Sequence, residues 1–155
     1  MNELKNIIAV HIQKLQKAST VLNASFIRCE PFITNNVITS IEEEFVESFT
    51  ARFNRLADMY FQSTLKLIDE VDFETEGSFK DRLNRADKKG LITNVTSLLN
   101  IRILRNKIVH DYLPSSLQYL FTESHKHSPQ LLKEVNNAII YLQNNLQYNS
   151  YLNNV

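Results

Sequence analysis

The sequence predicts an all-α fold, and three observations carry that expectation. Only two glycines and three prolines punctuate the 155 residues, so few positions force the chain out of a helix. Apolar side chains recur at three- and four-residue steps over long stretches, and strand-like alternation is nowhere sustained. The expected architecture is an antiparallel bundle of four to five main helices forming one domain, 1–155, with an asparagine-rich tail from about 144 to 155.

Leu4, Ile7, Ile8, Ile12, Leu15 and Leu22 give a first helix one apolar stripe, with Lys5, Gln13, Lys14 and Lys17 on its polar back. Pro31 and the Asn35-Asn36 pair end it. Ser40 is the expected cap of a second helix, with Glu43 in the capping-box position and Glu42 and Glu44 favourable at the positive end of the dipole. Its stripe, Phe45, Phe49, Phe53, Leu56, Tyr60 and Leu67, runs to about Val71.

An acidic loop from Asp72 to Gly77 follows. Ser78 caps a short helix ending at Lys88-Lys89-Gly90, where cations meet the carbonyl end and glycine supplies a left-handed residue. Thr93 is expected to open the next helix, and Pro114 and Ser115 to break the chain after it. A short helical piece near Leu117 to Phe121, then Ser128-Pro129 as a cap with a first-turn proline, lead into a last helix carrying Leu131, Leu132, Val135, Ile139, Ile140 and Leu142.

Composition removes several classes of function. Seventeen basic and seventeen acidic residues cancel, so the electrostatic footprint of a dedicated DNA-binding domain is missing, although a local patch remains open. Cys29 is the single cysteine, which excludes an intrachain disulfide and a thiolate metal cluster and suits a small buried side chain. No apolar run approaches the roughly 18 residues a membrane span needs. The first residues resemble no signal peptide, so a cytoplasmic address is expected.

The most informative stretch is Arg105-Asn106-Lys107-Ile108-Val109-His110-Asp111-Tyr112. A guanidinium offers five donors in a planar fork and suits a phosphate and the charge that develops on it. An imidazole titrates near neutrality, so His110 can take a proton from a ribose 2′-hydroxyl or return one to a leaving oxygen, with no metal and no cofactor. Asn106, one turn before His110, can orient the ring or the substrate. On this helix Leu98, Ile101, Leu104 and Ile108 form one apolar stripe, while Val95, Leu99 and Ile103 share another face with Arg102, Asn106 and His110. That second face reads as a surface meeting another subunit or lining a cleft, and Arg102 is a candidate RNA or interface contact. Two copies meeting there would double the basic groups around one groove.

At these residues the sequence resembles the HEPN superfamily, and more narrowly the HepT-type toxins, whose pattern is arginine, four residues, histidine, one residue, tyrosine. Arg105, His110 and Tyr112 match it, with Asn106 as the common asparagine after the arginine. Asp81-Arg82-Leu83 and Lys88-Lys89-Gly90-Leu91-Ile92 are similar to the family's short helix ending at a glycine, and the likeness covers roughly residues 40 to 113. The resemblance implies a homodimeric, HEPN-like bundle that dimerises through the motif helix and cleaves RNA without metal in a composite cleft, as the toxin of a toxin-antitoxin pair. It also implies a cognate minimal nucleotidyltransferase that neutralises the toxin by binding it and by transferring AMP to the motif tyrosine. On this chain Arg105 and His110 would be the catalytic pair, Asn106 a supporting group and Tyr112 the modified phenol, where added bulk and negative charge repel RNA phosphates.

A five-residue separation puts Arg105 and His110 about 140° apart on an ideal helix. Either the arginine stem wraps round, or the helix ends near His110, or each cleft combines two subunits. Plainer readings stand beside the catalytic one. Arg105 can pair with an acid of a neighbouring helix, His110 can be an interfacial histidine, and Tyr112 a core tyrosine. His125 and His127 read as solvated groups in a polar loop, and His11 as a packed or water-facing residue. The alternative function is a non-catalytic substrate-binding or adaptor subunit of a nucleotidyltransferase, for which the motif face is a docking surface; a structural bundle with a coincidental motif is a third.

Overall fold

The computed structural model describes residues 2–111 and 114–151. Among them there is no strand. Helix α1 (Asn2–Cys29) and a 3-10 turn (Glu30–Phe32) precede a rod in which α2 (Ser40–Asp58) and α3 (Leu65–Val71) are joined by a π-helical turn (Met59–Thr64). Then come α4 (Phe79–Lys88), α5 (Val95–His110), a 3-10 turn (Pro114–Ser116) and α6 (Leu117–Tyr151).

The four long elements form an up-down bundle. Along α1 and α2 the contacts run in opposite sequence order: Cys29 to Phe45, Ser25 to Arg52, His11 to Thr64. Along α5 and α6 they do the same, from Leu91 with Asn137 through Thr93 with Glu134 to Lys107 over Tyr119. The pairs between the rod and α6, Phe49 with Phe121 and, just past the end of α3, Asp72 with Tyr141, run in the same order, as befits the bundle diagonal. Most of the predicted stripes fill the centre: Ile8, Leu15, Leu22, Phe49, Phe53, Leu56, Tyr60, Leu98 and Ile101 are fully buried, whereas Ile7 on α1 and Ile140 on α6 are exposed. Phe45, at 36% exposure, is the member of the α2 stripe left at the rim, where the Arg28 guanidinium lies 5.4 Å from its ring centre.

Two helix starts differ by one residue from expectation, each for a visible reason. Thr39, not Ser40, caps α2, and its box partner is Glu42 rather than Glu43. Glu42 Oε2 accepts the Thr39 backbone N–H at 2.8 Å, while its Oε1 accepts from Asn35 at 3.1 Å, tying the preceding loop to the cap. Asn94, not Thr93, caps α5, its side chain accepting from Ser97 N–H at 2.9 Å. Thr93 is engaged elsewhere: its N–H and hydroxyl both donate to Glu134 on α6, the hydroxyl at 2.6 Å. Glu134 is fully buried and also accepts from Gln130 at 2.6 Å, so one carboxylate with three donors anchors the start of α5 to α6.

The expected break at Ser128-Pro129 does not occur. Helix α6 runs through it, because Leu120, Phe121, Ser124, Ser128, Leu131, Val135 and Leu142 form one unbroken buried stripe on both sides of the proline. Proline lacks the N–H that would bond the carbonyl four residues back, and packing outweighs that loss. The Ser128 hydroxyl donates to the Ser124 carbonyl at 2.7 Å. The loop that was to hold His125 and His127 is therefore helix. The His125 ring stacks on Phe26 at 4.1 Å between Phe49 and Phe121, and His127 faces Glu123 at 3.7 Å. The expected tail is also helical as far as Tyr151, and residues 152–155 lie outside the described part.

The short helix behaves as expected. Ser78 and Asp81 form its capping box, and Gly90 closes it with φ +71°. Its cations are spent on the acidic end of the rod. Asp69, almost fully buried, receives Arg82 at 3.1 Å and Arg85 at 2.6 Å, while Lys89 pairs with Asp72 and with Glu74 at 2.7 Å.

Candidate active site on the motif helix

Helix α5 presents three sides. Leu98, Ile101 and Leu104 face the core, with Ile108 partly buried against it. Leu99 and Ile103 are exposed, as are Asn106 and His110, so the second face read from the sequence is an open surface of this chain. Arg105 lies on a third side, turned toward α2.

Arg105 is half-buried and doubly held. One terminal N–H donates to Asp58 Oδ1 on α2, and another donates to Asn106 Oδ1 at 2.9 Å. Its Nε is buried without an acceptor, so the guanidinium is positioned through its terminal groups. Asn106 therefore orients the arginine in this chain. Asp58 was not foreseen: it is the one acid between Glu47 and Asp69, and only the packing of α2 on α5 brings it to a residue 47 positions away.

His110 is the last residue of α5. Asp111 leaves the helix with φ −99° and ψ 107°, its N–H bonded to the Lys107 carbonyl. The helix thus ends at His110, and the side chains of Arg105 and His110 start on different sides of α5. Tyr112 falls outside the described residues. Arg102 is only partly exposed, its guanidinium carbon 3.7 Å from the centre of the Phe79 ring, a cation–π contact that ties α5 to α4.

Next to this face, between α5 and α6, lies a cavity of about 260 Å3 lined by Asn100, Ile103, Lys107, Tyr119, Lys126 and His127, among others. Burial pushes the His127 imidazole below its ordinary value, against the pull of Glu123. Among the described residues no group of three His, Cys, Asp or Glu side chains is arranged to hold a metal ion, and no helix is long and apolar enough to cross a membrane. The chain matches no protein-family model, no curated protein and no solved structure.

Proposed function

We propose that this chain is a metal-independent RNA endonuclease of the HEPN type, the toxin of a pair whose antitoxin is a minimal nucleotidyltransferase. The observation that carries the reading is the last turn and a half of α5: an exposed His110, and a guanidinium at Arg105 that Asn106 holds and solvent reaches in part. Exposed Leu99, Ile103 and Val109 beside them supply the apolar surface on which a second copy would pack, so that each cleft draws on two α5 helices. In that cleft His110 takes the proton of the ribose 2′-hydroxyl, whose oxygen attacks the adjacent phosphorus. The bond to the 5′-oxygen breaks, that oxygen takes a proton back from the His110 imidazolium as it leaves, and a 2′,3′-cyclic phosphate remains. Arg105 neutralises the charge that builds on the phosphate oxygens.

The purified chain is expected to cut single-stranded RNA in EDTA. His110→Ala should lower the rate at least about a hundredfold, the usual range for general acid–base catalysis, with an unchanged helical circular-dichroism spectrum. A magnesium requirement, or undiminished cleavage by that variant, would sink the reading. Co-expression with the nucleotidyltransferase should add mass in steps of AMP that Tyr112→Phe abolishes.

One observation favours the alternative of a non-catalytic adaptor subunit: Asp58 already occupies the Arg105 guanidinium. An adaptor would bind the nucleotidyltransferase tightly yet leave RNA intact in the partner's absence.

A further inference from the structure

The balance of seventeen cations against seventeen anions conceals a segregation. Between Glu3 and Glu30 helix α1 carries Lys5, Lys14, Lys17 and Arg28 and no acid at all. At the far end of the rod Arg82, Arg85 and Lys89 are taken up by Asp69, Asp72 and Glu74. A groove between α1 and α2 keeps its cations. Lys14, Lys17, Arg52 and Arg55 line a cavity of about 280 Å3, and Ala18, Val21 and Met59 complete its wall, with no acid among them. Arg52 donates to the Ser25 hydroxyl. Lys14, Lys17 and Arg55 form no ion pair among the described residues.

Four like charges around one groove, with no acid in its wall, attract an anion that spans them. The chemistry of the wall narrows the anion. Cations around an apolar patch suit a phosphodiester whose sugar and base lie on Ala18, Val21 and Met59 while its phosphates meet the lysines and arginines. The position narrows it again: Met59 lies in the groove wall, and Asp58 beside it holds Arg105.

We propose that the groove between α1 and α2 binds single-stranded RNA, as a track for the phosphates flanking the linkage that reaches Arg105. The inference rests on the RNA-cleaving reading for its direction, and on the groove alone for binding.

The test uses the full chain and a fluorescein-labelled 2′-O-methyl oligouridylate, which carries RNA phosphates but has no 2′-hydroxyl to attack. Anisotropy titrations in EDTA compare the wild type, a Lys17→Glu/Arg55→Glu variant and a Lys66→Glu/Lys133→Glu control that reverses the same charge on exposed positions elsewhere. The groove variant should bind at least tenfold more weakly, with a shallower dependence on salt, and the control within about twofold of wild type. Equal losses in both variants, unchanged binding in the groove variant, or no binding by the wild type would overturn the proposal; so would a groove variant that loses only the nucleotidyltransferase. Cleavage of ordinary RNA, measured in parallel, separates the two readings. Groove-dependent binding without cleavage removes the nuclease and keeps the track, whereas full cleavage by the groove variant does the reverse.

Discussion

Asp58, the last residue of α2 before the π-helical turn, receives the guanidinium of Arg105 from α5. The pair joins two helices of the bundle and sets the resting position of the arginine we propose meets phosphate. An ion pair with both side chains partly exposed, 25% and 44%, contributes little to stability, in the range of about 0–1 kcal/mol. Its weight falls on where the arginine points.

Replacing Asp58 with Asn should therefore leave the fold intact, with a change in unfolding free energy of about 1 kcal/mol or less by urea titration. On the proposed nuclease reading, Arg105 freed from a competing carboxylate should raise RNA cleavage severalfold. A fall in rate to the level of Arg105→Ala would mean that Asp58 places the arginine for catalysis rather than restraining it.

Glu134 is the opposite case. Fully buried, its carboxylate accepts from the Thr93 N–H and hydroxyl and from the Gln130 amide. Glu134→Ala should cost about 2–4 kcal/mol, since hydrogen bonds to a buried charge are worth about 1.5–3 kcal/mol each and orphaned donors add their own penalty. Chemical denaturation measures this directly, and amide exchange should rise first at the start of α5.

Stability should fall in mild acid. Burial holds His11, His125 and His127 below the ordinary imidazole value of 6.5, so below that pH the unfolded chain binds protons that the folded chain refuses. Their contribution is complete above pH 6.5 and is lost as the pH falls through the lower native values. Melting temperature should be level from pH 7 to 8 and drop between pH 6.5 and 5, and His125→Phe should flatten part of that drop.

Pro129 interrupts the hydrogen bonding of α6 at an exposed position. Pro129→Ala restores the missing donor and should stabilise the chain by about 1–3 kcal/mol, given the cost of proline inside a helix. A loss of stability on that substitution would mean that the helix is bent there to fit the bundle.

Much of this fold is legible in the sequence because its signals are local. The apolar stripes of α1, α2 and α5, the Ser78 cap and the Gly90 terminus are each written within a turn or two. What escaped the reading is tertiary. Thr93 lost its role as a cap to a glutamate 41 residues away; Ser128-Pro129 has the grammar of a helix start, yet a buried stripe on either side carries the helix through. At the candidate site, the motif gives the identities of Arg105, Asn106 and His110, while the engagement of Arg105 by Asp58 depends on two helices meeting. No local pattern encodes that.

The π-helical turn between Met59 and Thr64 has a consequence for how this gene can vary in length. Such a turn is a regular helix holding one surplus residue, and here the Thr64 hydroxyl donates to the Met59 carbonyl at 3.0 Å and meets His11 at 2.9 Å. Excising a single codon within these six residues would let the rod close into ordinary helix with the buried stripe in phase on both sides. The same excision anywhere else in Ser40–Val71 would rotate everything downstream by about 100°. This turn is thus where the bundle can shed a residue, at the loss of its link to His11.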